Sequence, residues 1–270
     1  MQIILITTIV ITVIGIIVAA ALVFVSNRFH VETDERVTAI RDALPGNNCG
    51  ACGYAGCDAM SEAIASGEAP VNACPVGGAP VADRIAAIMG VETMETERYV
   101  AFVKCSGNCD VMKRQGNYVG INDCRVAVHA GIQVPSCDWG CYGLGSCVTV
   151  CPHDAIHVVN GVAQVNESRC VGCAMCVKTC PKKLIELVPA KNRVRVRCSS
   201  RERGPVVRKV CSAGCIGCAM CVKTCPVGAV SVTDNLAQVD YERCVQCGAC
   251  ADKCPAGVIT MPQNIPDRQV

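Results

Sequence analysis

The first 26 residues of the chain are almost entirely apolar. No charged side chain occurs between Ile3 and Val25, where isoleucine, valine and alanine predominate. A helix rises about 1.5 Å per residue, so a stretch of this length can cross a hydrocarbon core of roughly 30 Å. No basic segment precedes the stretch, and it exceeds the apolar part of a typical signal peptide. The pattern therefore favours an uncleaved transmembrane helix over residues 1–26 rather than a cleaved signal peptide.

Two basic side chains predict the orientation of this helix. Arg28 and His30 follow the apolar stretch directly, and basic residues that flank a membrane span favour the cytoplasmic side. We therefore expect a single-pass protein of the cell (inner) membrane, with the rest of the chain in the cytoplasm.

Beyond this stretch, hydrophobic residues recur with a helical period. Ile40 and Leu44 lie on one side of a helix predicted over 32–44, and a second helix is predicted over 58–66. Because both helices flank cysteines, the pattern predicts a small helical domain over 32–90.

Later apolar runs alternate with polar residues, as strands with one buried face do. Asn160-Gly161 and Asp234-Asn235 are turn-forming pairs, and they stand where hairpins would fold back before the runs 162–165 and 236–239. Residues 81–103 are predicted as a connector. The other alternating runs are Ala155–Val159, Ala229–Val232 and Val258–Met261.

Cysteine makes up 25 of the 270 residues, and much of it falls in one repeated motif. In a bacterial ferredoxin, Cys-x2-Cys-x2-Cys-x3-Cys-Pro supplies three thiolates to one [4Fe–4S] cluster and the fourth to the neighbouring cluster. One copy here keeps the spacing but carries Leu144 in place of its second cysteine. That copy is Cys141, Cys147 and Cys151, and the complete copies are Cys170/Cys173/Cys176/Cys180, Cys215/Cys218/Cys221/Cys225 and Cys244/Cys247/Cys250/Cys254.

Two other uses of clustered cysteines fit the spacing less well. Cysteines at every third residue cannot all reach partners at the Cα separation of a disulfide. Zinc sites usually take two cysteines from each knuckle, not a regular triplet with a fourth before proline. Aromatic residues are only 3% of the chain, which indicates small modules whose folding free energy comes partly from metal–thiolate bonds. Iron–sulfur clusters in a reducing compartment are therefore favoured.

Four further cysteines lie in the predicted helical domain, with glycines beside them. Glycine allows tight turns around a bulky cofactor and lets backbone N–H groups approach sulfur. They form one self-contained predicted site of Cys49, Cys52, Cys57 and Cys74.

Exchange of the fourth cysteine between neighbouring copies predicts the other ligand sets. In the last two copies, the sets are Cys215, Cys218, Cys221 with Cys254, and Cys244, Cys247, Cys250 with Cys225. In the first two copies, they are Cys170, Cys173, Cys176 with Cys151, and Cys141, Cys147 with Cys180. The last set has only three cysteines, because Leu144 cannot bind iron.

Six cysteines remain outside these sets: Cys105, Cys109, Cys124, Cys137, Cys198 and Cys211. One of them, with Cys137 or Cys211 favoured, could complete the three-cysteine site; otherwise that site could hold a [3Fe–4S] cluster. The others could form a sixth cluster or remain buried and unliganded. At least five [4Fe–4S] clusters are therefore expected. The spacing Cys124-x12-Cys137-x3-Cys141 recurs as Cys198-x12-Cys211-x3-Cys215, which predicts equivalent positions before each pair of motifs.

A basic segment separates the second motif from the third. Between Lys182 and Lys209 there are ten lysines and arginines against two glutamates. Arg193, Arg195 and Arg197 alternate, so they would line one face of a strand. This segment is interpreted either as a solvated connector or as a docking patch for an acidic electron carrier.

The remaining side chains give fewer indications of function. A net charge of +2 provides no case for nucleic acid, and no glycine-rich nucleotide-binding motif is present. Trp139 is expected to shield a cluster. The histidines are expected at the surface or in turns rather than as ligands: His30, His129, His153 and His157.

The apolar N-terminus, the Cys-x2-Cys-x4-Cys pattern from Cys49 and the paired ferredoxin motifs closely resemble the B subunit of the Rnf electron-transport complex, over essentially the whole chain. Together, residues and resemblance predict an α+β protein with a transmembrane helix, a small helical 4Fe–4S domain and tandem two-cluster ferredoxin-like modules. The expected units are the anchor 1–26, the N-terminal 4Fe–4S domain 32–90, a cysteine-rich segment 104–136, the first module 137–190, a basic connector 191–214 and the second module 215–265.

The resemblance implies a function as well. It indicates an iron–sulfur electron-relay subunit of a membrane-bound, ion-translocating oxidoreductase, which exchanges electrons with reduced ferredoxin and passes them to other membrane and peripheral subunits. The extra module resembles longer forms of the subunit from anaerobes. The alternatives are a polyferredoxin feeder subunit of another dehydrogenase and a zinc-stabilised interaction scaffold without a redox role.

Overall fold

The computed structural model describes residues 2–28, 34–92, 97–115 and 118–261. The N-terminal helix α1 spans Gln2–Arg28. Its side chains are described at Ile6 and over 12–24, and all of these are exposed. Among the described residues, no helix is both long enough and apolar enough to cross a membrane. The anchor over 1–26 stays a prediction, and His30 lies outside the described residues.

Three helices form the core of the small N-terminal domain. The carboxylate of Asp34 accepts a 2.9 Å hydrogen bond from the backbone N–H of Arg36, which stabilises the start of the first of them. Ile40, Ile64 and Ile85 are buried together between the helices. The three are α2 (Glu35–Ala43), α3 (Cys57–Ala65) and α4 (Gly78–Met89).

The structure tests the elements predicted in this half of the chain. Helices α2 and α3 confirm the predictions over 32–44 and 58–66, although residues 32–33 lie outside the described part. The connector predicted over 81–103 is wrong. Helix α4 occupies its start, with Val81 buried against the core, and strand β1 (Tyr99–Val103) occupies its end.

The first ferredoxin-like module contains two antiparallel strand pairs. Strands β2 (Ile156–Val159) and β3 (Val162–Val165) form the predicted hairpin. Asn160 and Gly161 connect them with positive φ angles of 48° and 78°, as a tight turn that matches the twist of the strands requires. Strand β1 pairs with β4 (Ile185–Pro189).

The second module repeats this plan. The predicted hairpin consists of β6 (Val230–Thr233) and β7 (Leu236–Val239), with Asp234 and Asn235 at positive φ in the turn. Strand β5 (Arg195–Val196) pairs with β8 (Ile259–Thr260). The core of each module lies between its hairpin and its second strand pair.

Short helices carry the third cysteine of each motif. In each case, the residue before the helix adopts a left-handed conformation, so the chain turns sharply before this cysteine. They are α6 (Ser146–Thr149), α7 (Met175–Thr179), α9 (Met220–Thr224) and α10 (Ala249–Asp252). Two further helices precede the modules, α5 (Cys124–His129) and α8 (Gly204–Val210).

The basic segment does not present its alternating arginines on one exposed face. Arg195 is only 2% exposed, and its guanidinium pairs with the carboxylate of Glu167 at 2.5 Å. It also lies 5.3 Å from the ring centroid of Phe102. Arg197 is partly buried. The interpretation of Arg195 and Arg197 as surface residues of a connector or docking patch is therefore wrong.

Candidate iron–sulfur sites

Two cavities are lined by the cysteine sets that motif spacing predicts. One lies in the second module and the other in the first. In the first module, the backbone N–H of Ala101 donates to the Cys170 sulfur at 3.3 Å, and the N–H of Ala155 donates to the Cys151 sulfur at 3.4 Å. The cysteines are Cys215, Cys218, Cys221 and Cys254 in one cavity and Cys151, Cys170, Cys173 and Cys176 in the other.

A third cavity contains the cysteines of the incomplete motif. Cys141, Cys147 and Cys180 line it together with Cys124, so a fourth sulfur stands near the site that Leu144 leaves incomplete. The expectation that Cys137 or Cys211 takes this position is not supported, because both line another cavity.

Hydrogen bonds hold Cys124 in this position. Its backbone N–H donates to the hydroxyl of Ser146 at 2.6 Å, and this hydroxyl donates to the Asp123 carboxylate at 3.0 Å. Ser146 immediately precedes Cys147 in α6. The first turn of α5 is thereby fixed against the helix that carries another cysteine of the same cavity.

The fourth cavity collects cysteines from four separate segments, and we call it the four-segment centre. Its cysteines are Cys105, Cys137, Cys198 and Cys211, and Trp139 also lines it. Backbone N–H groups of Gly107 and Ser200 donate to the Cys105 and Cys198 sulfurs at 3.4 Å each. Motif spacing alone had left these four cysteines unassigned.

The cysteine spacing that recurs before each module predicted that Cys124 matches Cys198 and that Cys137 matches Cys211. The structure supports only the second of these matches. Cys137 and Cys211 line the same cavity, but Cys198 lies with them whereas Cys124 lies with Cys141. The predicted equivalence of Cys124 and Cys198 is therefore wrong.

Three cysteines of the remaining motif set, Cys225, Cys244 and Cys250, pack in or against the core of the second module. The N–H of Ala229 donates to the Cys225 sulfur at 3.2 Å. Burial raises the pKa of the Cys250 thiol to about 11, with a contribution from the nearby thiols of Cys244 and Cys225. Cys247 is exposed.

The N-terminal domain brings Cys52, Cys57 and Cys74 together at the edge of its helical core. The N–H of Gly77 donates to the Cys74 sulfur at 3.4 Å, and burial raises the pKa of this thiol. The side chain of Asn48 accepts a 2.8 Å bond from the backbone N–H of Cys57, which orders the loop before α3.

Cys109 stands apart from these groups. Its side chain is exposed, and it lines none of the four cavities described above. Among the described residues, no group of three or more His, Cys, Asp or Glu side chains is placed to hold a single metal ion.

Burial controls the protonation of the cavity thiols. It raises the pKa of Cys147 and Cys176 to about 12, and that of Cys137 and Cys141 to about 11. When no metal is bound, these four thiols are therefore protonated at neutral pH. Since thiolates are the metal ligands, loading the cavities must release these protons.

Buried nitrogen atoms without partners provide a test of what the cavities can hold. In the described part of the chain, the Nε2 atom of His153 and the Nε atoms of Arg114 and Arg197 are buried and accept or donate no hydrogen bond. His153 lines the Cys151 cavity and Arg197 lines the four-segment centre. A buried donor left unpaired costs about 1–3 kcal/mol. A cluster with anionic sulfur acceptors in these cavities would remove that cost, so the surroundings fit such a group.

Comparison with known proteins agrees with this interpretation of the cysteines. Residues 44–76 match the family described as "Putative Fe-S cluster", and residues 169–229 and 214–258 match the 4Fe-4S dicluster domain. Together with the hairpins and the four-cysteine cavities, these matches define an iron–sulfur protein built from ferredoxin-like electron-transfer domains.

The relatives identify the family more closely. The chain is 41% identical over 85% of its length, and 69% of the relative's, to the B subunit of the Na⁺-translocating ferredoxin:NAD⁺ oxidoreductase complex of Acetobacterium woodii. It is 39% identical to the B subunit of the ion-translocating oxidoreductase complex of Methanosarcina acetivorans, with 85% and 87% of the two chains covered. The chain belongs to the family of B subunits of ion-translocating (Rnf) oxidoreductase complexes, which confirms the resemblance found in the sequence.

Proposed function

We propose that the chain holds six [4Fe–4S] clusters on 24 of its 25 cysteines. The observation that carries this proposal is the completion of two cavities by cysteines outside the regular motifs. Cys124 joins the incomplete motif, and four otherwise unassigned cysteines form the four-segment centre. Cys109 is the single cysteine left without a cluster.

Four of the proposed ligand sets follow the cavities, and two follow the motifs and local contacts. The cavity sets are Cys215/Cys218/Cys221/Cys254, Cys151/Cys170/Cys173/Cys176, Cys124/Cys141/Cys147/Cys180 and Cys105/Cys137/Cys198/Cys211. The other two are Cys225/Cys244/Cys247/Cys250 and Cys49/Cys52/Cys57/Cys74. Because Cys124 would supply the fourth thiolate, the proposed cluster at the incomplete motif is [4Fe–4S] rather than [3Fe–4S].

The proposed activity is electron relay. When bound, the clusters supply one-electron transfer, and the surrounding backbone N–H groups and buried nitrogens stabilise their negative charge. The relative from Acetobacterium woodii is named as part of a ferredoxin:NAD⁺ oxidoreductase complex, so we infer that this chain exchanges electrons with reduced ferredoxin. The other subunits of the complex would receive the electrons and perform the nucleotide chemistry.

The apolar N-terminus gives the proposed location. The uncharged, apolar stretch from Ile3 to Val25 supports a single-pass anchor over 1–26. Arg28 at its end favours a cytoplasmic position for the iron–sulfur domains. The cysteine-rich segment 104–136 and the basic connector 191–214 both contribute cysteines to the clusters in this scheme.

Metal and sulfide analysis of anaerobically purified protein tests the proposal. Six clusters of four irons predict about 24 irons per chain, with a matching amount of sulfide. Electron relay is tested by mixing the protein with reduced ferredoxin. Reduction of the clusters is measured as a loss of visible absorbance. A content of about 20 irons per chain would mean that one of the six proposed clusters is absent. Stoichiometric zinc with little iron would overturn the whole proposal.

A further inference from the structure

Arg197 lies at the wall of the four-segment centre, beside the ligand Cys198. Its backbone N–H donates to the carbonyl of Val258 at 2.8 Å, which continues the pairing of β5 with β8. This bond fixes the start of the side chain, whose remaining atoms help to line the cavity that contains the four cysteines.

Arg195, in β5, and Arg197, directly after the strand, have different surroundings. Arg195 is fully buried and well partnered, because its guanidinium bonds to the Glu167 carboxylate at 2.5 Å and to the Asn192 carbonyl at 2.7 Å. The Nε atom of Arg197 is also buried, but it has no hydrogen-bond partner. Among the described residues, none of the ion pairs includes Arg197.

Arg197 is partly buried, and burying a charged group that has no acidic partner is costly. Charged side chains are rarely buried unless they are paired. Burial lowers the pKa of Arg197 from its ordinary value, and the nearby Cys105 sulfur opposes this effect. The four cysteines that line the cavity together with Arg197 would supply the missing negative charge once they bind a cluster as thiolates.

We propose that Arg197 is the fixed charge partner of the cluster held by Cys105, Cys137, Cys198 and Cys211, and that it raises the reduction potential of this cluster above the value its sulfurs alone would give. The inference rests on the proposed sixth cluster. Reduction adds one electron from a low-potential carrier such as reduced ferredoxin, and no bond to hydrogen forms. A neighbouring positive charge stabilises the added negative charge, since the interaction is strong in a poorly solvated site.

Substitution of Arg197 tests the inference, with Arg208 as the matched control. Arg197→Gln removes the charge and keeps a hydrogen-bonding side chain. Arg208→Gln removes the same charge from the exposed side of α8, whose Val207 lines the cavity. Arg197→Lys keeps the charge and changes the shape of the group. Each variant is titrated anaerobically and followed by EPR, and the signal that Cys137→Ala abolishes identifies the cluster.

Arg197→Gln is expected to retain the iron of the parent protein and to lower the midpoint potential of that one cluster. Arg208→Gln should leave the potential unchanged, since its charge is screened by water, and Arg197→Lys should recover most of the parent value. Loss of the cluster in Arg197→Gln but not in Arg197→Lys would also support a requirement for charge.

Three results would overturn the inference. An unchanged potential in Arg197→Gln, with iron retained, would contradict it and leave the sixth cluster in place. Loss of the cluster in both Arg197 variants would show that Arg197 stabilises the site by packing and not by its charge. If Cys137→Ala removed no iron, both the sixth cluster and this inference would be wrong.

Discussion

The backbone N–H of Cys124 donates a 2.6 Å hydrogen bond to the side-chain oxygen of Ser146. Ser146 is buried and directly precedes Cys147, so this bond joins the start of α5 to the incomplete cysteine motif. In the proposed ligand set, the sulfur that Leu144 cannot supply comes from Cys124, at the start of a helix that precedes the motif in the chain.

Cys124→Ala is expected to leave the incomplete motif with three cysteines. The iron atom without a thiolate becomes labile, so the site should convert to a [3Fe–4S] cluster and lose about one iron per chain. EPR of the oxidised protein and iron analysis would show the change. Cys137→Ala provides the comparison, because it should change the signal of the four-segment centre and leave that of the incomplete motif unchanged. A three-iron signal from Cys137→Ala alone would contradict the assignment.

Ser146→Ala should weaken the same site without removing a ligand. The variant leaves the Cys124 N–H and the Asp123 carboxylate without their shared partner, at a cost of about 1–3 kcal/mol. We expect faster loss of iron from this cluster to a chelator and an early appearance of the three-iron signal. Ser212→Ala, at an exposed position, is the control and should behave like the parent. Equal rates in both variants would show that the hydrogen bond is dispensable.

Cys109 is expected to be the one thiol that a mild alkylating agent modifies in the intact, cluster-loaded protein. It is exposed and belongs to no proposed ligand set, and exposed free thiols react more readily than ligated ones. Mass spectrometry after anaerobic alkylation would locate the label, and Cys109→Ala should abolish it while iron content stays unchanged. Labelling of another cysteine at the same rate would place that residue outside the clusters.

Gly172→Ala should disrupt the cavity of Cys170 and Cys173. Gly172 has a φ of +71°, and a Cβ atom there would stand 2.6 Å from the Tyr99 carbonyl oxygen of β1. The added methyl group therefore has two effects. It causes backbone strain of about 1–2 kcal/mol, and it clashes with the main chain of Tyr99, which can move only if β1 moves as well. We expect loss of about four irons per chain.

Gly131→Ala separates these two effects. Gly131 has a φ of +68° but no atom within 4 Å of the added Cβ, so only the strain remains. This variant should retain its iron and bleach at a slightly lower temperature than the parent. If the two variants lost iron equally, the close approach of β1 would be unimportant.

Deletion of residues 1–26 is expected to move the protein from the membrane fraction to the soluble fraction. The first cysteine is Cys49, so the truncated chain should keep its colour and iron content. Cell fractionation with iron analysis of both forms checks the outcome. A truncated chain that stays with the membrane in cells lacking the other subunits would contradict a single N-terminal anchor.

Local spacing predicted the parts of the structure that depend on neighbouring residues. The Asn160-Gly161 and Asp234-Asn235 turns specify their hairpins, because few residues tolerate the positive φ that such turns need. The motif frame likewise predicted which cysteines line two cavities. These features require no knowledge of how distant segments pack.

Tertiary packing decided the features that the sequence did not reveal. The choice of Cys124 over Cys137 depends on where α5 docks, and the grouping of Cys105 with Cys198 depends on how strands β1 and β5 are placed. Alternation in the basic segment predicted a strand with three arginines on one face, but only Arg195 lies in a strand, and the pattern could not show that Glu167 and Phe102 would cover it. One sequence signal was available for the four-segment centre, the shared spacing upstream of both modules, and the structure supports it for Cys137 and Cys211 only, which line one cavity.

The wide separation of the cysteines in the four-segment centre affects how the chain can be made. In the N-terminal domain, all four cysteines lie between residues 49 and 74, so that site is complete early in translation. The four-segment centre cannot close until Cys211 has left the ribosome. Until then, Cys105 and Cys137 stay unpaired in a nascent polypeptide and are open to oxidation or to the wrong metal. If these four cysteines hold the proposed cluster, its iron and sulfide can therefore be inserted only after most of the chain has been synthesised.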